Sequence, residues 1–227
     1  MNIYAYPEEL DYLDIRPLPE KWKRFDHFIR ATKPEKLNED VKNFIEESQK
    51  KRNEGERLVY VSMGSLGCVD TGLMERLIEM LFHSTKNWFI FSLGSEADKL
   101  KPKLYQPRMF GAQFLPQMEI LPLVDLVITH CGNNSLLESF YFSKPVLAVP
   151  LFADQIGNAQ RITELGLGDR INAYKCTTEE FVDKVQHLLD DSILKSKIEK
   201  IGNRLQESRS TDLVAETIEE VAKMGKK

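Results

Sequence analysis

Apolar residues along this chain gather in short dense runs, set between longer stretches where they recur at helical spacing. Residues 58–62 (LVYVS), 88–93 (WFIFSL) and 124–129 (VDLVIT) are too short for helices and dense in β-branched, aromatic and aliphatic side chains. Runs of that kind predict strands covered on both faces. Shorter runs at 109–114 and 146–150 predict two more strands, and Arg170 and Ile171 the start of a sixth. Between them, 73–82 (LMERLIEMLF) has the apolar spacing of a helix that packs back on a sheet. A mostly polar surface helix is predicted over 38–53, with Asn38 as its N-cap and Gly55 as its stop. Thr177 and the acidic pair after it resemble a capping box opening a helix to 190. Two further helices, 194–207 and 212–224, finish the chain. Strands alternating with helices predict an α/β fold, a parallel sheet with helices on both faces.

The first 35 residues fit this alternation poorly. They hold four prolines and three tyrosines and show little periodicity apart from a buried-looking FDHFI. No internal repeat and no low-complexity segment occurs.

Ligands of parallel sheets sit outside the carboxyl ends of the strands. Ser65, His130 and the Asp154-Gln155 pair all fall just past such ends, so one pocket is expected to collect them. The strand before His130 runs into His-Cys-Gly-Asn-Asn-Ser and then LLESFYF, which has the spacing of a half-buried helix. Strand, glycine-containing turn and helix start leave free backbone N–H groups and a positive dipole end facing an anion. Asn134 and Ser135 add side-chain donors there, and His130 adds an imidazole. The arrangement suits a phosphate.

Composition narrows the partners. At 227 residues the chain has ample core for one large domain or two small ones. A formal charge of -4 gives no reason to expect nucleic acid or an anionic membrane surface. No apolar run approaches the roughly 20 residues that span a bilayer. An acidic N-terminus without a signal-peptide core and a charged C-terminus without an anchor give a cytoplasmic expectation. Cys68, Cys131 and Cys176 form no CxxC and are read as plain thiols. No DxD or HExxH occurs and His27, His83 and His187 lack neighbours at ligand spacing, so no bound metal is expected. A dehydrogenase is disfavoured, because no GxGxxG follows the first strand.

The residues from 113 to 155 also resemble the signature of the family 1 UDP-glycosyltransferases. That pattern is an aromatic, x-P-Q, a strand ending T-H-x-G-x-N-S-x-x-E, then P, an apolar strand and P-x-F-x-D-Q. Here it reads Phe114, Pro116, Gln117, Thr129, His130, Gly132, Asn134, Ser135, Glu138, Pro145, Pro150, Phe152, Asp154 and Gln155. The likeness extends through residues 158–168 and back to VYVSMGS at 59–65, so it covers most of the chain. It implies a Rossmann-like sheet, the C-terminal donor domain of a GT-B glycosyltransferase, over residues 36–227. Residues 1–35 would then be the end of an acceptor-binding domain and its linker.

The resemblance gives each residue a role beside its plainer reading. Phe114 stands where the family commonly has a tryptophan stacked on uracil; otherwise it is core at a strand end. Gln117 lines the base pocket, with the backbone around Met118 reading the base edge, or it caps the helix it opens. His130, Gly132, Asn134 and Ser135 contact the diphosphate, and the loop of Ser65 meets the β-phosphate, where it would otherwise be a turn. Cys131 is read as a small buried residue. Glu138, one helical turn after Asn134, accepts hydrogen bonds from the ribose diol. Asp154 and Gln155 bond hydroxyls of the donor sugar, while Asp154 is equally suited to be a helix N-cap. Asn158 and Gln160 extend this segment, but covering a helix accounts for them, and they stay outside the expected site. The helix dipole and polar donors would take the place of a cation.

The function so implied is binding of a UDP-sugar, with UDP-glucose first, for inverting hexosyl transfer to a small lipophilic acceptor. The family's histidine general base has no counterpart here and belongs to an N-terminal domain outside this chain. Two alternatives stay open: a non-catalytic nucleotide-sugar-binding module needing a separate acceptor-binding partner, and a transferase using TDP-sugars on macrolides.

Overall fold

The computed structural model describes residues 1–29, 35–84 and 86–224. Its main sheet has six parallel strands in the order β5-β4-β3-β6-β7-β8. These are β3 (Arg57–Ser62), β4 (Asn87–Ser92), β5 (Met109–Ala112), β6 (Leu126–Thr129), β7 (Val146–Ala148) and β8 (Gly168–Arg170). Two further strands, β1 (Asn2–Ala5) and β2 (Trp22–Phe25), pair in parallel as a separate small sheet. The five predicted central strands are present, and a sixth, expected to start at Arg170, instead ends there as β8. The five are legible because helices cover both faces, so Leu58, Val59, Tyr60 and Val61 in β3 are all buried, without alternation.

The chain runs outward from β3 to β5, then returns to pair β6 against the other side of β3. The strand order therefore reverses between β3 and β6. There Ser62 lies opposite Thr129, Ser62 opposite Ser92, and Thr129 opposite Ala148. This common register ends the central strands in one row and brings the loops that follow to a single edge.

The helices are α1 (Glu39–Lys50), α3 (Thr71–Phe82), α6 (Asn133–Tyr141), α7 (Asp154–Glu164), α8 (Thr178–Asp190), α9 (Ser192–Glu207) and α10 (Ser210–Met224). Single turns form α2 (Gly64–Gly67), α4 (Ala97–Leu100) and α5 (Gln117–Ile120). Asn38 caps α1 by accepting from the Val41 amide at 2.9 Å. Gly55, at φ 85, ends the short turn that follows. The helix is polar outside but buries Val41, Phe44 and Ile45, with Phe44 edge-on to Trp88. Thr177 and Glu180 form the predicted capping box. Helix α9 crosses α6 at glycine distance: a Cβ on Gly202 would lie 2.8 Å from the Phe140 carbonyl and 2.1 Å from Ser143 Oγ.

Residues 1–29 are ordered although their sequence shows little periodicity. Distant side chains hold them. Arg161, 6 % exposed, donates to the carbonyls of Leu10 and Asp11 at 3.0 and 2.8 Å, pairs with Asp14, and lies over the Tyr12 ring. Arg204 from α9 grips Glu9 and Asp26. His27 is buried with Nε2 at 3.0 Å from the Leu205 carbonyl and Nδ1 at 3.3 Å from the Ile29 amide. A neutral ring protonated on Nε2 satisfies both contacts. The expected domain boundary after residue 35 adjoins residues 30–34, which lie outside the described residues.

The glycine at the α6–α9 crossing generates one prediction. Gly202→Ala should cost about 1–3 kcal/mol, because the added methyl meets backbone that cannot yield. Thermal unfolding should show it as a Tm fall of roughly 2–4 °C per kcal/mol. An unchanged Tm would mean that the helices separate freely.

Candidate functional site

The loop after β3 and the loop after β6 meet around one imidazole. Gly64, at φ 69, and Gly132 flank the His130 ring: a Cβ on either would lie 2.6 Å from a ring atom. Both glycines are therefore set by how closely the backbone approaches the ring, and Gly64 also by its left-handed backbone. His130 Nδ1 sits 3.1 Å from Thr129 Oγ1. Burial holds the imidazole below its ordinary value of 6.5, only partly offset by a hydrogen bond to the Ser62 backbone and by the Asp154 charge. At neutral pH the ring is uncharged. Ser65, the residue after Gly64, is exposed on the same loop.

Helix α6 begins at Asn133, so its first N–H groups lack carbonyl partners within the helix. Asp154 reaches across from the start of α7 and accepts from the Asn133 amide at 3.1 Å. The plain reading of Asp154 as an N-cap of its own helix fails. It is the first residue of α7, whose N-cap is Ala153 at φ 54, and its carboxylate serves α6 instead. Asn134 is exposed and Ser135 half-buried on the opening turn of α6.

One turn further on, Glu138 is half-buried. Burial raises its carboxyl above the ordinary value, while a hydrogen bond from the Gln117 side chain acts in the opposite sense. That amide donates to Glu138 Oε2 at 2.5 Å, and Gln117 Oε1 accepts from the Tyr60 hydroxyl at 3.1 Å. Gln117 therefore does not cap α5. Pro116 holds the cap position without a side-chain bond, and Gln117 links the sheet interior to Glu138.

Phe114 is 76 % exposed, which rules out a core role. Gln155 is buried instead: its Oε1 accepts from the Leu151 and Phe152 amides at 2.9 and 3.1 Å and fixes the loop after β7. Cys131 is fully buried, as expected of a small residue, and burial pushes its thiol up to about 12. Its φ of 65 is the left-handed conformation that glycine adopts most readily.

The structure thus brings Ser65's loop, His130, Gly132, Asp154 and the start of α6 together, with Gln117 and Glu138 one turn along. Phe114 stands on the periphery, and the Gln155 carbonyl is occupied. A cleft of about 610 Å³ opens beside Met118, Asn134 and Glu138, closed on its other side by Ala5, Phe28 and Ile29. Among the described residues no three His, Cys, Asp or Glu side chains come together as a metal site. None of the described helices is long and apolar enough to cross a membrane.

A residue that the sequence reading left outside the expected site adjoins it. Asn158, 7 % exposed, donates to Asp154 Oδ2 at 3.1 Å and to the Cys131 carbonyl at 3.0 Å. Its spacing of four from Asp154, one helical turn, was the available signal.

The six-stranded parallel sheet with its reversal of strand order is Rossmann-like, and its solved neighbours are GT-B glycosyltransferases. A crystal structure described as the glycotransferase of kitacinnamycin superimposes with a TM-score of 0.79 at 20% identity, over 96% of this chain and 54% of that one. The chain belongs to the UDP-glucoronosyl and UDP-glucosyl transferase family, whose model matches residues 18–211. It is similar to the Bacillus subtilis (strain 168) protein named Uncharacterized UDP-glucosyltransferase YdhE, 28% identical over 172 residues, which are 76% of this chain and 43% of that protein. It is also similar to Os79 from O. sativa, solved in complex with UDP, with a TM-score of 0.60 and 26% identity over 69% of this chain and 38% of that one. The chain thus spans about half the length of the proteins it matches, or less.

The buried imidazole carries a pH signature. His130 should titrate below 6.5 in a ring-resonance NMR titration of the folded protein. Between the folded and unfolded values the unfolded chain binds more protons. The stability that neutral His130 contributes is therefore complete above the unfolded value and lost as pH falls through it toward the folded one. A midpoint at or above 6.5 would contradict the buried, neutral ring.

Proposed function

We propose that this chain is the donor-binding part of a UDP-sugar-dependent glycosyltransferase, in which residues 36–227 hold the nucleotide sugar. Residues 1–35 are proposed as the end of an acceptor-binding domain and its linker. The observation that carries the reading is the convergence of His130, the opening turn of α6 and Asp154 at the switch point, with Glu138 one turn behind.

In this reading the diphosphate lies against the start of α6. Asp154 already occupies the Asn133 amide. The amides and side chains of Asn134 and Ser135 are the donors left for phosphate oxygens, joined by His130 and the Ser65 loop. The ribose diol donates to Glu138, displacing the Gln117 amide, and the exposed face of Phe114 stacks on the base. The complex of Os79 with UDP supports uridine as that base.

Transfer forms a bond from an acceptor oxygen to the anomeric carbon as the bond from that carbon to the diphosphate breaks, inverting the centre. The leaving diphosphate gains charge, which prepositioned donors stabilise. The base that takes the acceptor proton is proposed to lie in an acceptor domain beyond this chain. Glucose is the proposed sugar and a small lipophilic molecule the proposed acceptor.

Calorimetric titration tests the reading. The chain should bind UDP with micromolar to millimolar affinity, and more tightly than thymidine diphosphate. Glu138→Ala should weaken UDP by about tenfold or more, as expected for lost hydrogen bonds to a charged group. A folded chain that ignores UDP, or a variant that binds it equally well, would sink the proposal.

A further inference from the structure

The strongest unassigned arrangement lies beneath Asp154. Three residues of α7 at helical spacing, Gly157, Asn158 and Arg161, meet the N-terminal segment, and Asp154 lies one turn before Asn158. Arg161 takes the Leu10 and Asp11 carbonyls, and the Tyr12 hydroxyl lies 3.4 Å from the Gly157 carbonyl. The Tyr6 hydroxyl donates to Asn158 Oδ1 at 2.9 Å. Asn158 then spends both amide hydrogens, one on the Cys131 carbonyl at 3.0 Å and one on Asp154 Oδ2 at 3.1 Å. Its amide cannot turn over, because a flipped oxygen would face a carbonyl and a carboxylate. Asn158 is buried, so these bonds are not exchanged freely with water.

The consequence falls on the carboxylate. Oδ2 of Asp154 is held by the Asn133 amide and by Asn158, which fixes the plane of the group. Oδ1 has no hydrogen-bond partner among the described residues, and Asp154 is exposed. One oxygen is anchored and the other is presented outward in a set direction.

We infer that Asn158, itself held by Tyr6, is a positioning residue that orients Asp154 so that its outer oxygen accepts from one hydroxyl of the donor sugar. The inference rests on the donor-site reading above and deepens it. Selectivity for the sugar then depends on a tyrosine from the segment preceding the domain. Without Asn158 the carboxylate swings about its own bonds and loses its directed oxygen, while the contacts made by Glu138, one turn further along α6, remain.

The test compares UDP with UDP-glucose on the 227-residue chain. UDP lacks the sugar, so the ratio of the two affinities reports on Asp154, and a general loosening of the fold would move both together. Asn158→Ala should weaken UDP-glucose about three- to tenfold more than it weakens UDP, whose own smaller loss reflects the missing bond to the Cys131 carbonyl. Tyr6→Phe, which keeps the ring and removes only the hydroxyl, should shift the ratio in the same direction by about two- to threefold. In an Asp154→Asn background, adding Asn158→Ala should leave the ratio unchanged, since the group being positioned is gone. An unmoved ratio in both single variants, or an equal shift in the Asp154→Asn background, would overturn the inference while leaving UDP binding intact. Loss of UDP binding by the unmodified chain would instead remove the donor-site reading and this inference with it.

Discussion

The site depends on the lateral register of β3 against β6. With Ser62 opposite Thr129 the two strands end level, and their loops emerge in opposite connection senses from adjacent positions. A slip in that pairing would carry Gly64 away from His130 and α6 away from the loop of Ser65. Register in a sheet buried on both faces is held by packing along every strand. Here Tyr60, Val61 and Ile128 supply that packing at the centre. The geometry of the loops is inherited from the core.

How much of this could be read from the sequence follows from where each element finds its order. The central strands and the long helices are legible, because their burial is written into local apolar spacing, whereas β8 has no apolar residue of its own. Asn38, Thr177 and Glu180 act within one turn of themselves, and their caps are equally legible. The N-terminal segment is not, because Arg161 and Arg204 order it from more than a hundred residues away. Its strands are short and half-exposed and carry no period of their own.

At the site, position was legible and pairing was not. The sequence placed Ser65, His130 and Asp154 just past strand ends and Glu138 one turn into the following helix, where the structure also has them. Which oxygen meets which donor depends on distances between loops that no spacing encodes. The plainer alternatives for two residues therefore fail: Gln117 spans from Tyr60 to Glu138 and does not cap α5, and Asp154 serves α6 and not its own helix. For Phe114 the structure removes only the plainer alternative: an aromatic at a strand end could be core, but the chain leaves the sheet after Ala112 and the ring is exposed. Two site loops also carry strained backbone, at Cys131 and Ala153. Such conformations cost of order 1–3 kcal/mol each and persist only where neighbours hold them. Asn158, bonded to the Cys131 carbonyl, is one such neighbour.

The carboxylate of Asp154 on the first amide of α6 has a further meaning. A helix start normally meets an arriving anion with its whole partial positive charge. This one brings its own resident counter-ion. In the proposed donor site, a diphosphate would meet a helix start whose charge is already partly compensated, with Asn134, Ser135 and His130 left as donors. It would therefore be held more by the direction of those donors than by the charge of the helix.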